Sequence, residues 1–327
     1  MITVHGLLGQ PSLELRMSAA SADWVVGGRR HLDTLGVPEE RRIVLGALRP
    51  AIEKVAAIPS EAFVVVVASG DPLYFGVVRA LRDEGLHPEV VTAPSSIAAA
   101  FAAVGLPWDD AVVVSVHGRP LAAAVNLARS LGKVAVFTSA ENGIRELAAQ
   151  LSDVARWYVL AERLGETDEC VRILDAAAAA VTQPLEPNVV LVLAAPPEQL
   201  DGQWSGAVAG PARGRRPEVS APAAVAFARI LPEPGELVWV SGVLGADVAA
   251  LCCWAQAAVL DPTTGAAACP TNPDVVVADF CQLPALDFEP GPRAIVLAGP
   301  TPDKLPPGYR WRTETIGDTA LTTGVLP

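Results

Sequence analysis

Short apolar segments alternate with helical segments along the first 195 residues of this chain. Residues 63–68 are apolar at every position instead of alternating with polar residues, which is typical of a strand covered by helices on both faces. Further strand-like runs lie at 2–4, 24–26, 89–91, 111–116, 133–138, 157–160 and 188–194. Helices are predicted between them, at 77–84, 96–104, 121–131, 143–151 and 168–181. This alternation predicts an α/β fold built from layered sheets.

The composition changes after residue 195. Residues 196–222 contain five prolines and the cationic stretch 213–216, which predicts a linker. A second α/β pattern follows, with strand-like runs at 236–240, 257–260, 275–278 and 294–297. About 90 residues remain for it, and that length is short for a complete doubly wound domain.

The charge balance narrows the classes of partner. With 24 basic and 36 acidic side chains the formal net charge is −12, which disfavours binding of nucleic-acid phosphates. The uncharged stretch 90–108 has membrane-spanning length, but Pro94, Gly105 and Pro107 interrupt it. No basic segment followed by an apolar core opens the chain, so we expect a cytoplasmic protein without a signal peptide and without a membrane span.

The five cysteines form no Cys-x-x-Cys pair. An odd number without that spacing argues against a disulfide framework and against a structural zinc site. We therefore expect reduced, buried cysteines and no metal.

The most informative loop follows the apolar run 63–68 and precedes a predicted helix. It reads Ser69-Gly70-Asp71-Pro72-Leu73-Tyr74-Phe75-Gly76. Ligands of open α/β sheets bind beyond the carboxyl ends of strands, and small residues there let backbone groups approach a ligand closely. The loop is therefore a candidate cofactor site. The alternative is an ordinary strand-to-helix turn, for which Gly-Asp-Pro is suitable by itself.

Four more polar loops follow predicted strands. Two of them have a structural alternative: a serine of the first loop can cap the next helix, and a lone histidine is more often a satisfied structural residue than a functional one. Five such loops at successive strand ends favour a functional site. The four loops are Ala93-Pro94-Ser95-Ser96, His117-Gly118-Arg119-Pro120, Thr138-Ser139-Ala140-Glu141-Asn142 and Ala161-Glu162-Arg163-Leu164-Gly165.

Taken in order, these motifs resemble those of the tetrapyrrole methylases. The resemblance covers residues 1–195 and includes Leu106-Pro107-Trp108-Asp109-Asp110. Within that superfamily, the Trp-Asp-Asp and His-Gly-Arg-Pro segments are similar to the precorrin-6Y C5,15-methyltransferase family of cobalamin biosynthesis. The same similarity extends to Val26-Gly27-Gly28-Arg29-Arg30-His31-Leu32.

The resemblance implies a two-lobed methylase, commonly a homodimer, that holds S-adenosylmethionine in a trough between its lobes. The implied lobes are residues 1–107 and 108–195, followed by a linker at 196–234 and a degenerate Rossmann-like methyltransferase remnant at 235–327. The implied cofactor-binding residues are Ser69, Gly70, Asp71, Pro72, Tyr74, Gly76, Ser95, Ser96, Thr138 and Glu162.

The implied substrate is a tetrapyrrole bearing many carboxylates. Guanidinium groups suit carboxylates, so local arginines would bind it within an otherwise acidic surface. Surface ion pairing is the alternative role for any one of these arginines. The candidate substrate-binding residues are Arg29, Arg30, His117, Arg119 and Arg163. The chemistry is a direct methyl displacement that depends on alignment and desolvation, so no catalytic triad is expected and no catalytic residue is assigned.

Two segments depart from the family pattern. Residues 4–11 lack the acidic residue usual in the first loop and contain Pro11. Residues 239–246, Trp-Val-Ser-Gly-Val-Leu-Gly-Ala, lack the acidic residue and the glycine spacing of a cofactor loop. We therefore expect methylation at C5 with loss of C15 methylation and decarboxylation. A methylase for another acceptor and a non-catalytic cofactor-binding scaffold are the alternatives.

Overall fold

The computed structural model describes residues 1–46, 48–74, 76–200, 218–255, 257–261, 272–279, 291–300 and 304–327. Phe75 and residues 201–217 of the predicted linker lie outside these ranges. The chain divides into two compact units. The N-terminal unit comprises Met1–Val104, Ala161–Val171 and Leu185–Asn188, and the second unit comprises Gly105–Leu160, Arg172–Pro184 and Val189–Pro327.

The N-terminal unit contains a five-stranded sheet in the order β3-β2-β4-β1-β5, and its four pairs of neighbouring strands are all parallel. Its strands are β1 (Ile2–Leu7), β2 (Trp24–Gly27), β3 (Arg42–Val44), β4 (Val64–Ser69) and β5 (Glu89–Val91). Its helices are α1 (Leu13–Ser21), α2 (Arg29–Thr34), α3 (Leu48–Ala56), α4 (Val77–Asp83) and α5 (Ser96–Ala103), with a 3-10 helix at Glu39–Arg41.

Strand β4 is buried on both faces. Val64 and Val66 pack with residues of α3 and α4, whereas Val65 and Val67 pack with Leu15 of α1 on the other side. Because successive side chains of a strand point to opposite faces, a strand between two helical layers must be apolar throughout. The prediction of an α/β fold with parallel, helix-covered strands is confirmed.

The second unit contains two sheets. The first has the order β6-β7-β10-β8-β9, in which β7 pairs parallel with β6 and antiparallel with β10. Its strands are β6 (Val112–Ser115), β7 (Lys133–Phe137), β8 (Trp157–Glu162), β9 (Cys170–Leu174) and β10 (Asn188–Leu193). The helices among them are α6 (Ala122–Ser130), α7 (Ile144–Gln150), α8 (Ala176–Val181) and α9 (Pro197–Leu200).

The predicted helix at 168–181 is wrong in its first half. Cys170–Leu174 forms β9, and the helix begins only at Ala176, where the Asp175 side chain caps it by accepting a hydrogen bond from the Ala178 N–H at 2.8 Å. β-Branched residues within the segment favour a strand, and an aspartate in the middle of it is a helix start signal.

The C-terminal sheet has six strands in the order β12-β11-β13-β14-β16-β15. Its first four strands are parallel, and the last two form an antiparallel hairpin whose β16 pairs antiparallel with β14. The elements are α10 (Ala221–Ile230), β11 (Leu237–Val240), α11 (Gly245–Trp254), β12 (Ala258–Leu260), β13 (Val275–Asp279), β14 (Ala294–Ala298), β15 (Arg310–Ile316) and β16 (Thr319–Val325).

Helix α10 lies within the segment predicted as linker but belongs to the core of the C-terminal sheet. Its Ala223, Ala226 and Ile230 are fully buried against β11, β13 and β14. This sheet is also tied to α6, because the Asn126 side-chain amide donates a hydrogen bond of 3.1 Å to the Gly235 carbonyl and α6 packs against β12.

The cysteine prediction holds only in part. Cys252 is buried, but Cys170 and Cys253 are exposed, and all three are free. Cys170 lies on β9 near the end of its sheet, where side chains meet solvent. Cys269 and Cys281 lie outside the described ranges. None of the described helices is long and apolar enough to cross a membrane.

Candidate functional site

Three strand ends of the N-terminal unit converge at one edge of the sheet. Leu7 at the end of β1 lies opposite Ser69 at the end of β4, and the Gly70 N–H donates to the Leu7 carbonyl at 2.8 Å. Strand β5 pairs with β1 through His5 and Val91, so the Pro-Ser-Ser loop follows at the same edge. Parallel strands place their carboxyl ends together, and this edge is where ligands of such sheets bind.

Glycines let these strand ends touch. A Cβ on Gly6 would lie 2.5 Å from the Gly70 carbonyl oxygen and 2.8 Å from the Ala93 nitrogen. A Cβ on Gly70, which has φ +67°, would lie 3.3 Å from the Ser96 nitrogen. Side chains at either position would separate the loops, so the backbone surface between them depends on glycine.

The loop after β4 has the geometry of a tight turn. Asp71 Oδ1 accepts a hydrogen bond from the Leu73 N–H at 2.9 Å, and the Asp71 carbonyl accepts from the Tyr74 N–H at 3.1 Å. Gly76 then enters α4 with φ +122°, a conformation that favours glycine. Burial and the Asp71 charge raise the pKa of the Tyr74 hydroxyl, so it stays protonated. The turn chemistry and the ligand-binding prediction are therefore compatible.

Ser95 has the capping role that was the alternative to ligand binding. Its Oγ accepts a hydrogen bond of 3.0 Å from the Ala98 N–H at the start of α5, and the residue is 7% exposed. Ser96 begins the helix beside Gly70. A ligand at this edge would meet the Ser96 backbone more readily than the Ser95 hydroxyl.

His31 belongs to the same edge and was not among the sequence-predicted site residues. It lies in α2, is 7% exposed, and places Nε2 3.4 Å from the Ser69 Oγ. Burial and the adjacent Arg30 lower the pKa of His31 to about 4, so the ring is neutral near pH 7. The signal in the sequence was its position three residues after a strand-ending glycine pair, in the Gly-Gly-Arg-Arg-His segment.

The predicted arginines of this unit differ in pairing. Arg30 forms an ion pair with Glu166, and Arg163 forms one with Asp168 and donates from Nε to the Glu186 carbonyl at 3.1 Å. Burial and the neighbouring Arg163 charge lower the pKa of Arg30. By contrast, Arg29 is exposed and forms no ion pair with any described residue.

Glu162 is buried rather than open to a ligand. It is 1% exposed, and its Oε1 accepts a hydrogen bond of 2.6 Å from the Leu185 N–H. The loop that follows it touches the first loop of the chain, since a Cβ on Gly165 would lie 2.6 Å from the Gly9 Cα. Glu162 therefore stabilises this loop region, and a cofactor contact from it stays a prediction.

Thr138, His117 and Arg119 lie in the second unit. Thr138 follows β7 and is 9% exposed. His117 and Arg119 are exposed in the turn after β6, where the Asn142 side-chain amide donates to the Arg119 carbonyl at 3.1 Å. Their roles stay predictions. No described group of three or more His, Cys, Asp or Glu side chains has an arrangement that would hold a metal ion.

The loop after β11 in the C-terminal sheet is filled by a side chain of the neighbouring strand. Asp279 at the end of β13 accepts hydrogen bonds from the Val243 N–H at 3.1 Å to each carboxylate oxygen. A Cβ on Gly242 would lie 2.2 Å from the Asp279 Cγ, and Gly242 has φ +79°. The carboxylate therefore packs directly on the backbone where a glycine-rich loop would receive a ligand.

The family model for Tetrapyrrole (Corrin/Porphyrin) Methylases matches residues 13–180, which is half of the chain. The chain belongs to this methylase family. The family prediction is thereby confirmed, and with it the prediction of a methyltransferase-type enzyme whose family uses S-adenosylmethionine as methyl donor.

Two curated relatives differ in how much of their length the methylase matches. It is 38% identical over 143 residues to the precorrin-6Y C(5,15)-methyltransferase [decarboxylating] of Sinorhizobium sp, covering 42% of this chain but only 34% of that protein. It is 30% identical over 203 residues to the cobalt-precorrin-7 C(5)-methyltransferase of Salmonella typhimurium, covering 59% of this chain and 98% of that protein. The chain thus spans about a third of the first relative's length.

Solved structures show a more distant likeness. The precorrin-6Y methylase of Archaeoglobus fulgidus is 22% identical and matches with a TM-score of 0.45 over 59% of this chain and 97% of its own. The methyltransferase CobJ is 21% identical and matches with a TM-score of 0.47 over 58% of this chain and 92% of its own.

The glycine-lined edge of the methylase suits S-adenosylmethionine. That ligand combines an adenosine with an amino acid group, and both present acceptors and donors that backbone groups satisfy. The Gly6–Gly70–Ser96 contact brings the strand ends together without intervening Cβ atoms. Ser69, whose side chain is exposed, supplies a hydroxyl beside that surface.

Proposed function

We propose that this methylase transfers a methyl group from S-adenosylmethionine to C5 of a precorrin-type tetrapyrrole such as precorrin-6Y in cobalamin biosynthesis. The observation that carries the proposal is the contact of three strand ends through Gly6 and Gly70 in a chain of the tetrapyrrole methylase family. The division into lobes 1–107 and 108–195 and a C-terminal remnant is part of the proposal, with helix α10 counted in the remnant because it packs in the core of that sheet.

S-adenosylmethionine supplies a methyl group on a sulfonium when it is bound. The chain contributes orientation, because the Gly70 turn and the Ser96 backbone fix where a ligand lies at the strand ends. Alignment and desolvation are the main requirements of a direct displacement, so the chain needs no nucleophile of its own.

Substrate carboxylates would be bound by arginine. Arg29 offers a guanidinium without an ion pair to any described residue, whereas Arg30 and Arg163 would have to exchange an internal carboxylate for one of the substrate. Bidentate pairing with a carboxylate is what a guanidinium does best. We expect Arg29→Ala to raise the KM for the tetrapyrrole, whereas Arg49→Ala, on the exposed side of α3, serves as the matched control.

The loop after β11 in the C-terminal sheet is the basis for proposing that C15 methylation and decarboxylation are lost. There the Asp279 carboxylate occupies the space beside Gly242, and Val243 and Leu244 replace the glycine spacing of a cofactor loop. An anionic side chain packed against that backbone opposes a ligand at the same place. The relative matched over 98% of its length is named as a C(5)-methyltransferase, which supports activity at C5 alone.

The experiment has two steps on the full chain. Calorimetry with S-adenosylmethionine tests cofactor binding. Failure to bind would refute both the proposed C5 activity and a methylase activity on another acceptor. Incubation with precorrin-6Y then distinguishes the outcomes by mass. One added methyl without loss of carbon dioxide supports C5 activity. Two methyls with loss of carbon dioxide would refute the loss of C15 chemistry, and binding without transfer would favour another acceptor or a scaffold role.

A homodimer, which the family resemblance implies, and a cytoplasmic location complete the proposal. Sedimentation equilibrium of the full chain tests the first: a mass of twice 33.9 kDa is expected, and a monomer would contradict it. Fractionation of the source cells tests the second.

A further inference from the structure

His31 is a buried polar side chain with one unsatisfied nitrogen at the edge of the candidate site. Its Nε2 lies 3.4 Å from the Ser69 Oγ, whereas its Nδ1 is buried and has no hydrogen-bond partner among the described residues. Ser69 itself is exposed at the end of β4, immediately before Gly70. The pair therefore joins a buried group to a hydroxyl that a ligand can reach.

The unsatisfied nitrogen indicates which tautomer is present. A neutral imidazole carries one N–H and one lone pair, and a buried N–H without an acceptor is rarer than a buried acceptor without a donor. A proton on Nε2 leaves the lone pair on Nδ1. That nitrogen lies beside Gly28, and a Cβ on Gly28 would lie 3.8 Å from it. A proton on Nδ1 would leave a buried donor unpaired. The first arrangement is favoured.

This tautomer determines the direction of the Ser69 hydrogen bond. His31 Nε2–H donates to the Ser69 Oγ, so the single hydroxyl proton of Ser69 is free to point away from His31. A serine held in this way is a hydrogen-bond donor toward the strand-end surface. Its natural partner is an anionic oxygen, because bonds to charged acceptors are the stronger ones.

We propose that His31 is a positioning residue that fixes the Ser69 hydroxyl as a donor to a carboxylate oxygen of the bound ligand. The inference rests on the proposed function and adds a residue to it. The carboxylate belongs either to the amino acid part of the methyl donor or to the tetrapyrrole. The two sources share this chemistry, and they are separated by which ligand responds when the pair is disrupted.

Four variants of the full chain test the pairing: Ser69→Ala, His31→Gln, His31→Asn and the Ser69→Ala/His31→Asn double variant. The glutamine amide reaches the position of Nε2, whereas the shorter asparagine amide reaches only that of Nδ1. We expect Ser69→Ala to weaken the carboxylate ligand about tenfold. His31→Asn should weaken it similarly, His31→Gln should restore most of the affinity, and the double variant should be no weaker than Ser69→Ala.

Two readouts identify the ligand. If the methyl donor supplies the carboxylate, calorimetry with S-adenosylhomocysteine shows the tenfold loss. If the tetrapyrrole supplies it, binding of S-adenosylhomocysteine is unchanged and the KM for the tetrapyrrole rises at constant kcat. No change in either quantity for Ser69→Ala overturns the inference, as does an additive loss in the double variant. Wild-type binding and turnover test the proposed function separately.

A spectroscopic readout is independent of turnover. The chain has 4 histidines, so their ring nitrogens are resolvable by ¹⁵N NMR, with His31→Gln as the assignment control. We expect a neutral His31 with the proton on Nε2 at pH 7. The Nδ1–H tautomer would overturn the inference. A histidine that only fills space would leave the affinity for the carboxylate ligand unchanged in both single His31 variants.

Discussion

Replacing Gly6 by alanine is the most direct perturbation of the strand-end contact. The new Cβ would lie 2.5 Å from the Gly70 carbonyl oxygen and 2.8 Å from both the nitrogen and the Cβ of Ala93. Optimal non-bonded separations are about 3.5–4.0 Å, so the neighbouring atoms must move by roughly 1 Å. Most of these are backbone atoms that cannot rotate away, so the loops after β4 and β5 must separate.

The magnitude follows from this forced movement. Overpacking of a close-packed site costs about 1–3 kcal/mol, so we expect the free energy of unfolding of Gly6→Ala to fall by about 2 kcal/mol. A displacement of this size also breaks the hydrogen-bond geometry offered to a ligand. Loss of one such bond, at about 1.4 kcal/mol, weakens S-adenosylhomocysteine about tenfold.

Urea unfolding and calorimetry measure the two effects. Gly46→Ala and Gly132→Ala are matched controls, because a Cβ at either position meets no heavy atom within 4 Å and neither residue has a positive φ. Both controls should unfold and bind as the wild type does. If Gly6→Ala also matches the wild type in both measurements, Gly6 does not pack closely against Gly70 and Ala93, and the strand-end contact is refuted.

Three further predictions concern buried groups. Lys133, 4% exposed, donates from Nζ to Asp110 Oδ1 at 2.8 Å, so Lys133→Met should cost about 3 kcal/mol in urea unfolding, and a cost equal to that of an exposed-lysine control would contradict it. Burial raises the pKa of Cys252 to about 12, so a thiol reagent at pH 8 should modify exposed Cys170 and spare Cys252 until the chain unfolds, as peptide mapping would show. Because the pKa of His31 is lowered to about 4, only the unfolded chain binds a proton at this residue between about pH 6.5 and 4. As the pH falls through that window, the free energy of unfolding should decrease by about 3 kcal/mol. His31→Gln should abolish this part of the pH dependence.

The strands of the N-terminal sheet were predictable because their signal is local. The fully apolar run at 63–68 needs only its own composition to indicate burial on both faces, and β4 is buried against helices on both sides. The turn at Asp71 and the cap at Ser95 were predictable for the same reason, since each is made by a side chain and a backbone group two or three residues apart.

Short or half-exposed strands were missed. β9 was absorbed into a predicted helix, and the hairpin of β15 and β16 was not predicted, although its alternating residues and its Gly317-Asp318 turn are a recognisable signal. Edge strands carry a weaker hydrophobic pattern than central ones. The C-terminal sheet is consequently more complete than its length of about 90 residues suggested.

The sequence by itself determined the family, the parallel α/β sheet and the turns at the strand ends, because each of these is specified by residues that are contiguous in the chain. Only the tertiary structure decided that Gly6 touches Gly70, that His31 contacts Ser69, and that Asp279 fills the space beside Gly242. These partners are separated by about 37 to 64 positions in the chain. Their pairing follows from strand order, and strand order is fixed by the packing of whole layers rather than by any one segment.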